Sequence, residues 1–178
     1  MLAACRNGHD SLVQYFALKE PSLLNLKDPS GKTPLHISLG SKNSSLIRIL
    51  IEGGADYNIT DASGFTPFLL AYNSDNFEGG KIILDKIIQT DRKSIYPGFM
   101  DALTAGKAEW VKSFLDAGLN PDSVVMKGNE NYSLPLVMAS GMGYREIVEY
   151  LIDDSVNLDR VDPVCRETAL PGDHSTRF

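Results

Sequence analysis

The feature that most constrains this chain is a sequence pattern that returns after 33 residues. The segment from Gly31 to Asn58 contains Thr33-Pro34, and the glycine and the Thr-Pro pair recur 33 positions later as Gly64 and Thr66-Pro67. Self-similarity at a fixed period of this length indicates repeated supersecondary units that bury their apolar faces against one another. The chain therefore has to be understood unit by unit.

Each unit reads as two helices followed by an extended excursion. Thr33 is suited to cap a helix, and Pro34 suits its first turn, where a missing N–H costs nothing. The small and apolar residues after it suit a short inner helix, and Leu46 to Ile51 give a second, more apolar outer helix. Gly40 to Ser44 forms the turn between them. Gly53-Gly54 supplies the positive φ that ends the second helix, before a hairpin-like excursion that we call a finger.

The run Thr33-Pro34-Leu35-His36-Ile37-Ser38 resembles the T-P-L-H-x-A signature of the ankyrin repeat family. Part of the pattern returns again at Ser133-Leu134-Pro135-Leu136. The resemblance implies an all-α fold, an ankyrin-repeat solenoid of stacked helix-turn-helix units with hairpin-like fingers. It also implies that His36 is structural and hydrogen-bonds between backbone segments of adjacent units.

The pattern predicts an ankyrin repeat domain over residues 1–170, followed by a tail. The spacing shortens to 31 positions between Thr66 and Pro97 and lengthens to 37 between Pro97 and Leu134, which predicts a short finger and then a long one. Asp75 to Gly80 is predicted to lengthen the turn between the helices of the third repeat. The predicted divisions are 1–27 (partial), 28–60, 61–93, 94–124, 125–160, 161–170 (partial) and the tail 171–178.

Composition narrows the function classes. Seventeen basic against 23 acidic residues give a formal charge of −6, which opposes binding to nucleic acid or to an anionic membrane. No apolar run approaches the roughly 20 residues of a membrane-spanning helix, and the first residues lack the order of a secretory signal. We therefore expect an intracellular protein, cytoplasmic or nuclear.

Each residue that could suggest catalysis or the binding of a metal or phosphate also has a structural explanation. His9 falls in the Gly-His turn, and Cys5 falls where the repeat requires a small buried residue. Asp56 and Asn58 suit backbone hydrogen bonding in a turn. Gly79-Gly80-Lys81 lacks the remainder of a phosphate loop and is predicted to lie in an extended inter-helix turn. We therefore expect no enzyme activity, no catalytic, cofactor or metal residues, and no small-molecule substrate.

The resemblance implies a non-catalytic protein-protein interaction module that grips a partner protein with finger tips and the concave face of the inner helices. It does not identify that partner. The alternative is a scaffolding or regulatory segment of a larger multidomain enzyme or effector, because the first and sixth repeats are incomplete. The alternative for Phe65, Met142, Tyr57 and Tyr132 is that their side chains cover neighbouring fingers. The candidate partner-binding residues are Lys32, Tyr57, Phe65, Asn73, Tyr132 and Met142.

The resemblance also extends to a post-translational modification of asparagine. Leu50, Asp56 and Asn58 have the spacing of ankyrin proteins that are modified on asparagine by a hydroxylase. The repeat itself explains the same leucine and asparagine, so the spacing alone does not establish modification of Asn58.

Overall fold

The structure, a computed structural model, describes residues 1–91, 95–121, 126–127, 130–131 and 134–153. The chain divides into two compact units, Met1–Thr90 and Asp91–Phe178. Within the described ranges it forms α-helices joined by short turns and fingers. The elements are α1 Leu2–Arg6, α2 Asp10–Lys19, a 3-10 helix Pro21–Asn25, α3 Pro34–Gly40, α4 Ser44–Glu52, α5 Pro67–Asn73, α6 Phe77–Asp91, α7 Tyr96–Thr104, α8 Ala108–Asp116, β1 Met126–Lys127, β2 Glu130–Asn131, α9 Pro135–Met142 and α10 Arg145–Asp153.

In the first unit, successive inner helices pack on one another and the outer helices form a second row. Inner helix α3 contacts α1 on one side and α5 on the other, and outer helix α2 contacts α4. The predicted start of α3 is confirmed, since Thr33 is extended and Pro34 occupies the first turn. Most of the buried residues of α3 and α4 are apolar, among them Leu35, Leu46 and Leu50, and α3 also buries the polar His36 and Ser38. The helix-turn-helix unit inferred from the sequence is confirmed here.

The second unit repeats this packing with larger side chains. Inner helix α7 contacts α9 and outer helix α8 contacts α10. The rings of Phe99 and Phe114 meet edge to face at 5.9 Å between centroids, and Trp110 is fully buried. Strands β1 and β2 pair antiparallel, with Met126 opposite Asn131, inside the finger that the sequence predicted to be long.

The turn between inner and outer helices has one geometry throughout the described repeats. Each turn contains a residue with left-handed φ, and the next residue donates its N–H to the carbonyl of a small buried residue five positions earlier. This satisfies the carbonyls left free at a helix end. From Asp75 to Gly106 is 31 positions and from Gly106 to Gly143 is 37, the two irregular spacings seen in the sequence. The donor-acceptor pairs are His9–Ala4, Asn43–Ser38, Asn76–Ala71, Lys107–Ala102 and Tyr144–Ala139.

The predicted lengthening of the third repeat's turn is wrong. The turn between α5 and α6 is no longer than that between α3 and α4, and Gly79-Gly80-Lys81 lies inside α6. Asn76 begins this helix, because its Oδ1 accepts the N–H of Gly79 at 3.0 Å. A Cβ at Gly79 would lie 2.7 Å from Leu39 Cδ2, so glycine allows α6 to pack closely on the second repeat. The additional residues lengthen α6 at its carboxyl end instead.

Candidate interaction surface

The fingers of the second and third repeats are closed by the same aspartate-centred turn. Asp28 Oδ1 accepts the backbone N–H groups of Ser30 and Lys32 at 2.9 and 3.0 Å. Asp61 Oδ1 accepts those of Ser63 and Phe65 at 2.9 and 3.0 Å, one period later. Each carboxylate therefore stabilises its own finger tip by accepting backbone N–H groups, as in an Asx turn.

Neighbouring fingers are joined by backbone contacts. The N–H of Ala62 donates to the carbonyl of Ser30 at 3.0 Å. Gly31 has a φ of +73°, and a Cβ there would lie 2.7 Å from Ala62 N, so only glycine allows this approach. At the base of the fingers, the N–H of Asp56 donates to Asn25 Oδ1 at 2.9 Å. The finger tips are thus held in a fixed relation to each other.

His36 connects the inner helix to the next finger, as the sequence predicted. Its Nδ1 accepts the N–H of Thr33 at 3.2 Å, and its Nε2 lies 3.0 Å from the carbonyl oxygen of Phe65. A ring nitrogen that accepts carries no proton, so Nε2 holds the hydrogen and donates it. Burial is the main cause that lowers the pKa of His36 below its ordinary value, partly opposed by the hydrogen bond to Phe65. The neutral imidazole is therefore a structural part of the repeat.

Asp28, in the finger of the second repeat, is paired with a cation. The carboxylate of Asp28 also lies 2.7 Å from the Arg6 guanidinium. The backbone N–H of Lys32 is the largest contribution that lowers the pKa of Asp28, with Ser30 and Arg6 adding to it. The carboxylate therefore stays ionised, and the neighbouring Arg6 guanidinium offsets its charge.

The structure places the candidate partner-binding residues in different settings. Phe65 follows the tip of the third repeat's finger with 37% of its surface exposed, and Lys32 at the corresponding position is half-buried. Asn73 is exposed at the end of α5 in the same unit. Met142 belongs to the second unit, at the end of α9, and is 46% exposed.

The two remaining candidates differ from these. Tyr57 is half-buried, and its hydroxyl lies 2.8 Å from Thr90 Oγ1 in α6, so this phenol has a partner within the chain. Tyr132 lies outside the described residues. Further residues at the finger tips and at the ends of the inner helices are also exposed: Pro29, Ser30, Ser41, Ala62, Ser63, Ser74, Thr104, Ala105 and Gly141.

One exposed apolar residue on this face was missed in the sequence. Leu69 in α5 occupies the position that His36 holds one repeat earlier, yet Leu69 is 43% exposed whereas His36 is buried. Phe65 and Leu69 thus both present apolar surface around the start of α5. The sequence did contain a signal for Leu69, since a leucine stands there where the ankyrin signature has histidine. An apolar residue at a position that is normally polar and structural would have identified it as a candidate.

The described residues contain no group of three or more histidine, cysteine, aspartate or glutamate side chains placed to hold a metal ion. Among the helices in the described ranges, none has the length and apolar character to cross a bilayer.

The outer helices α4 and α6 border a groove of about 270 Å³. Its lining includes basic, acidic and uncharged residues: Arg48, Ile51, Glu52, Ile82, Asp85, Lys86 and Gln89.

Comparisons with known proteins agree with this geometry. The family model described as "Ankyrin repeats (3 copies)" matches residues 1–94, more than half of the chain. A Saccharomyces cerevisiae protein named "Probable 26S proteasome regulatory subunit p28" is 31% identical over 155 residues, which cover 83% of this chain. The chain spans 66% of that relative, just under two thirds of its length.

Two solved structures share the fold. The crystal structure of the ankyrin repeat domain of Bcl-3, described as a member of the IkappaB protein family, has a TM-score of 0.63 at 19% identity and covers 93% of this chain and 73% of its own. The crystal structure of the ankyrin repeat protein EF0377 has a TM-score of 0.57 at 22% identity and covers 94% of this chain and 86% of its own. The helix pairs, their turns and these matches show that the chain is an ankyrin-repeat solenoid and belongs to the ankyrin repeat family.

Proposed function

We propose that this chain is a non-catalytic module that binds a partner protein through its finger tips and the exposed surface of its inner helices. The observation that carries the proposal is the position of Phe65, a large aromatic side chain held partly exposed beside two finger tips whose own polar groups are satisfied. Exposed aromatic residues on a rigid frame are typical anchors of protein interfaces. Ankyrin repeats generally serve as protein-interaction modules.

The chemistry of this surface favours an apolar segment of the partner. Among the candidate residues of the first unit, Lys32 alone carries a formal charge, and Asp28 and Asp61 are engaged in their own turns. Phe65 and Leu69 supply apolar area between them. A partner segment with apolar side chains and an acidic residue near Lys32 would match this arrangement.

The proposal also includes an intracellular location, in the cytoplasm or nucleus, and no binding of nucleic acid. The net charge of −6 supports the second point, since a polyanion would be repelled. The yeast relative suggests a first partner to test, a regulatory complex of the proteasome, because its name places that protein there.

The second candidate function is a scaffolding or regulatory segment within a larger protein. The fact that this chain spans only 66% of the yeast relative favours it. In that case the module would still bind through the same surface, and the chemistry would belong to other domains. Both candidates predict that the 178-residue chain binds the partner by itself, and they differ in whether a longer protein carries an enzymatic or effector activity in other domains.

A quantitative capture experiment tests the surface. The immobilised chain is compared with the variants Phe65→Ser and Met142→Ser, and bound proteins, including proteasome subunits, are measured by mass spectrometry. Loss of an anchor side chain is expected to weaken binding about tenfold or more. Separate variants are needed because the two residues belong to different units. Equal recovery of every partner by wild type and both variants would show that the surface is assigned wrongly.

A further inference from the structure

The fingers of the second and third repeats are joined edge to edge. The carbonyl of Ser30 accepts the N–H of Ala62 at 3.0 Å, and Gly31 allows this approach because a Cβ there would lie 2.7 Å from Ala62 N. His36 adds a second bond, to the carbonyl of Phe65, which follows Ala62 by three residues. The edge of the second finger therefore receives a backbone N–H and, three residues later, a group that meets the inner helix.

The corresponding edge of the third repeat's finger is open. Ser63, Gly64 and Leu69 stand one period after the three residues that form the occupied edge. Among the described residues, none donates a hydrogen bond to the Ser63 carbonyl. Gly64 has a φ of +82°, and no atom lies within 4 Å of its Cβ position. Leu69 and the adjacent Phe65 are partly exposed. We call Ser63, Gly64, Phe65 and Leu69 the open edge.

The course of the chain explains why this edge is open. Helix α4 ends at Glu52 and α5 begins at Pro67, so fourteen residues between them form the third repeat's finger and its base. Helix α6 ends at Asp91 and α7 begins at Tyr96, which leaves four residues. Four residues are too few for a finger of the same length. The open edge therefore arises inside the repeat array and does not depend on either terminus.

We propose that the open edge receives a finger-like loop of the partner protein, in the place of a fourth finger. The proposal rests on the function inferred above and names the kind of segment that this surface binds. One residue of the loop donates its backbone N–H to the Ser63 carbonyl, and an apolar side chain three residues later packs on Leu69 and Phe65. The register is that of Ala62 and Phe65 on the occupied edge, which this site continues.

The change from His36 to Leu69 sets the selectivity. His36 donates to a backbone carbonyl, which every residue carries, so the occupied edge selects no side chain at that point. Leu69 has no donor and instead presents apolar surface, which favours an apolar side chain on the incoming loop. The residue that donates to Ser63 cannot be proline, because proline has no N–H. Backbone bonds thus supply affinity and one side-chain position supplies specificity, as in strand addition.

Panning of a display library tests the occupant. The probe is a library of random disulfide-closed loops of eight residues, the length of the segment from Asn58 to Phe65, selected on the full chain. Selected loops should share an apolar residue, and N-methylation of the amide three residues before it should weaken binding about tenfold. N-methylation of the neighbouring amides is the control. Failure to select any loop, or loops insensitive to that one N-methyl group, would contradict the proposal.

Variants of the chain test the site. Gly64→Asn places a side chain where the loop's backbone must approach, and asparagine tolerates a left-handed φ, so selected loops should bind about tenfold more weakly or worse. Gly54→Asn is the matched control, because Gly54 has a φ of +91° and an empty Cβ position but follows α4. Leu69→His restores the signature residue and should remove the preference for an apolar side chain. Equal binding to wild type and Gly64→Asn overturns the proposal.

The remaining outcomes separate this proposal from the proposed function. Loops that lose binding to Phe65→Ser but keep it to Gly64→Asn would leave the finger-tip surface intact and refute the open edge as their site. Thermal unfolding of the free variants tests other occupants. If Gly64→Asn lowers the melting temperature more than Gly54→Asn does, another part of this chain fills the edge, and a difference that grows with protein concentration identifies a second copy. Either result overturns the proposal.

Discussion

His36 Nε2 lies 3.0 Å from the carbonyl oxygen of Phe65, a residue 29 positions further along the chain. The same ring accepts the N–H of Thr33 through Nδ1. One neutral imidazole therefore connects the start of an inner helix to the finger of the following repeat. Protonation of Nδ1 would abolish the first of these bonds, which makes the pH dependence of stability a direct test.

We expect the free energy of unfolding to fall as the pH drops below about 6.5, the ordinary pKa of histidine. Since the folded state lowers the pKa of His36, the unfolded chain binds the proton first. The loss is at most about 1.4 kcal/mol for each pH unit, until the pH passes the pKa of the folded state. Urea unfolding of wild type and His36→Gln at several pH values measures it.

The variant itself is informative at neutral pH. His36→Gln should cost about 1–3 kcal/mol, because buried hydrogen-bonding groups lose their partner. His9→Gln is the matched control, since His9 is exposed and should change stability by less than about 0.5 kcal/mol. If wild type and His36→Gln lose stability equally on acidification, His36 is not the group responsible.

Gly79→Ala should destabilise the protein although alanine favours helices. A Cβ would lie 2.7 Å from Leu39 Cδ2 and 2.9 Å from Ile47 Cδ1. Overpacking costs about 1–3 kcal/mol, against the gain of about 1 kcal/mol in helix propensity. Gly40→Ala is the control, because no atom lies within 4 Å of its Cβ position. Thermal unfolding compares them, and equal or higher stability of Gly79→Ala would contradict the close packing.

Asn76→Ala should cost more than Asn43→Ala. Both asparagines cap an outer helix, Asn76 toward Gly79 N and Asn43 toward Leu46 N. Asn76 is also buried, and its Nδ2 donates to the Leu39 carbonyl at 2.9 Å. Loss of a cap costs about 1 kcal/mol, and an unsatisfied buried carbonyl adds about 1–3 kcal/mol. Denaturant titration of the two variants measures the difference, and the reverse order would refute this account.

Cys5 should resist thiol reagents in the folded protein. Burial raises the pKa of its thiol to about 11, so almost no thiolate is present near neutral pH. Labelling with a disulfide reagent in the Cys165→Ser background should be slow when the chain is folded and rapid in denaturant. Rapid labelling of the native protein would mean that the first repeat opens readily.

The sequence predicted what local chemistry determines and missed what depends on distant contacts. Thr33 and Pro34 have roles that are set within a few residues, and those roles were confirmed. The exception is His36, whose bond to Phe65 spans 29 positions and was expected from the family resemblance, not from local chemistry. Gly79-Gly80 was interpreted as a turn, because glycine ordinarily ends helices. Position 79 is occupied by glycine because its backbone lies close to Leu39 and Ile47, and no local sequence pattern reveals this contact.

The same distinction applies to the candidate surface. Phe65 was identified because the repeat left its side chain unassigned, whereas Leu69 was missed because it stands at a position that normally has a structural role. Tyr57 looked equally free in the sequence, but Thr90 lies 33 residues away and occupies its hydroxyl. Which candidates bind a partner remains a prediction.

The close contact at the start of α6 limits how this repeat can change length. Asn76 and Gly79 fix that end of the helix against the second repeat, so an added or deleted residue there would break the cap and the packing at once. At the opposite end, Thr90 meets Tyr57 through an exposed hydrogen bond of 2.8 Å, which restricts the helix less than the buried cap does, and the third repeat has its additional residues there. Insertion of a tag or a peptide loop into this protein should accordingly begin from the carboxyl end of α6.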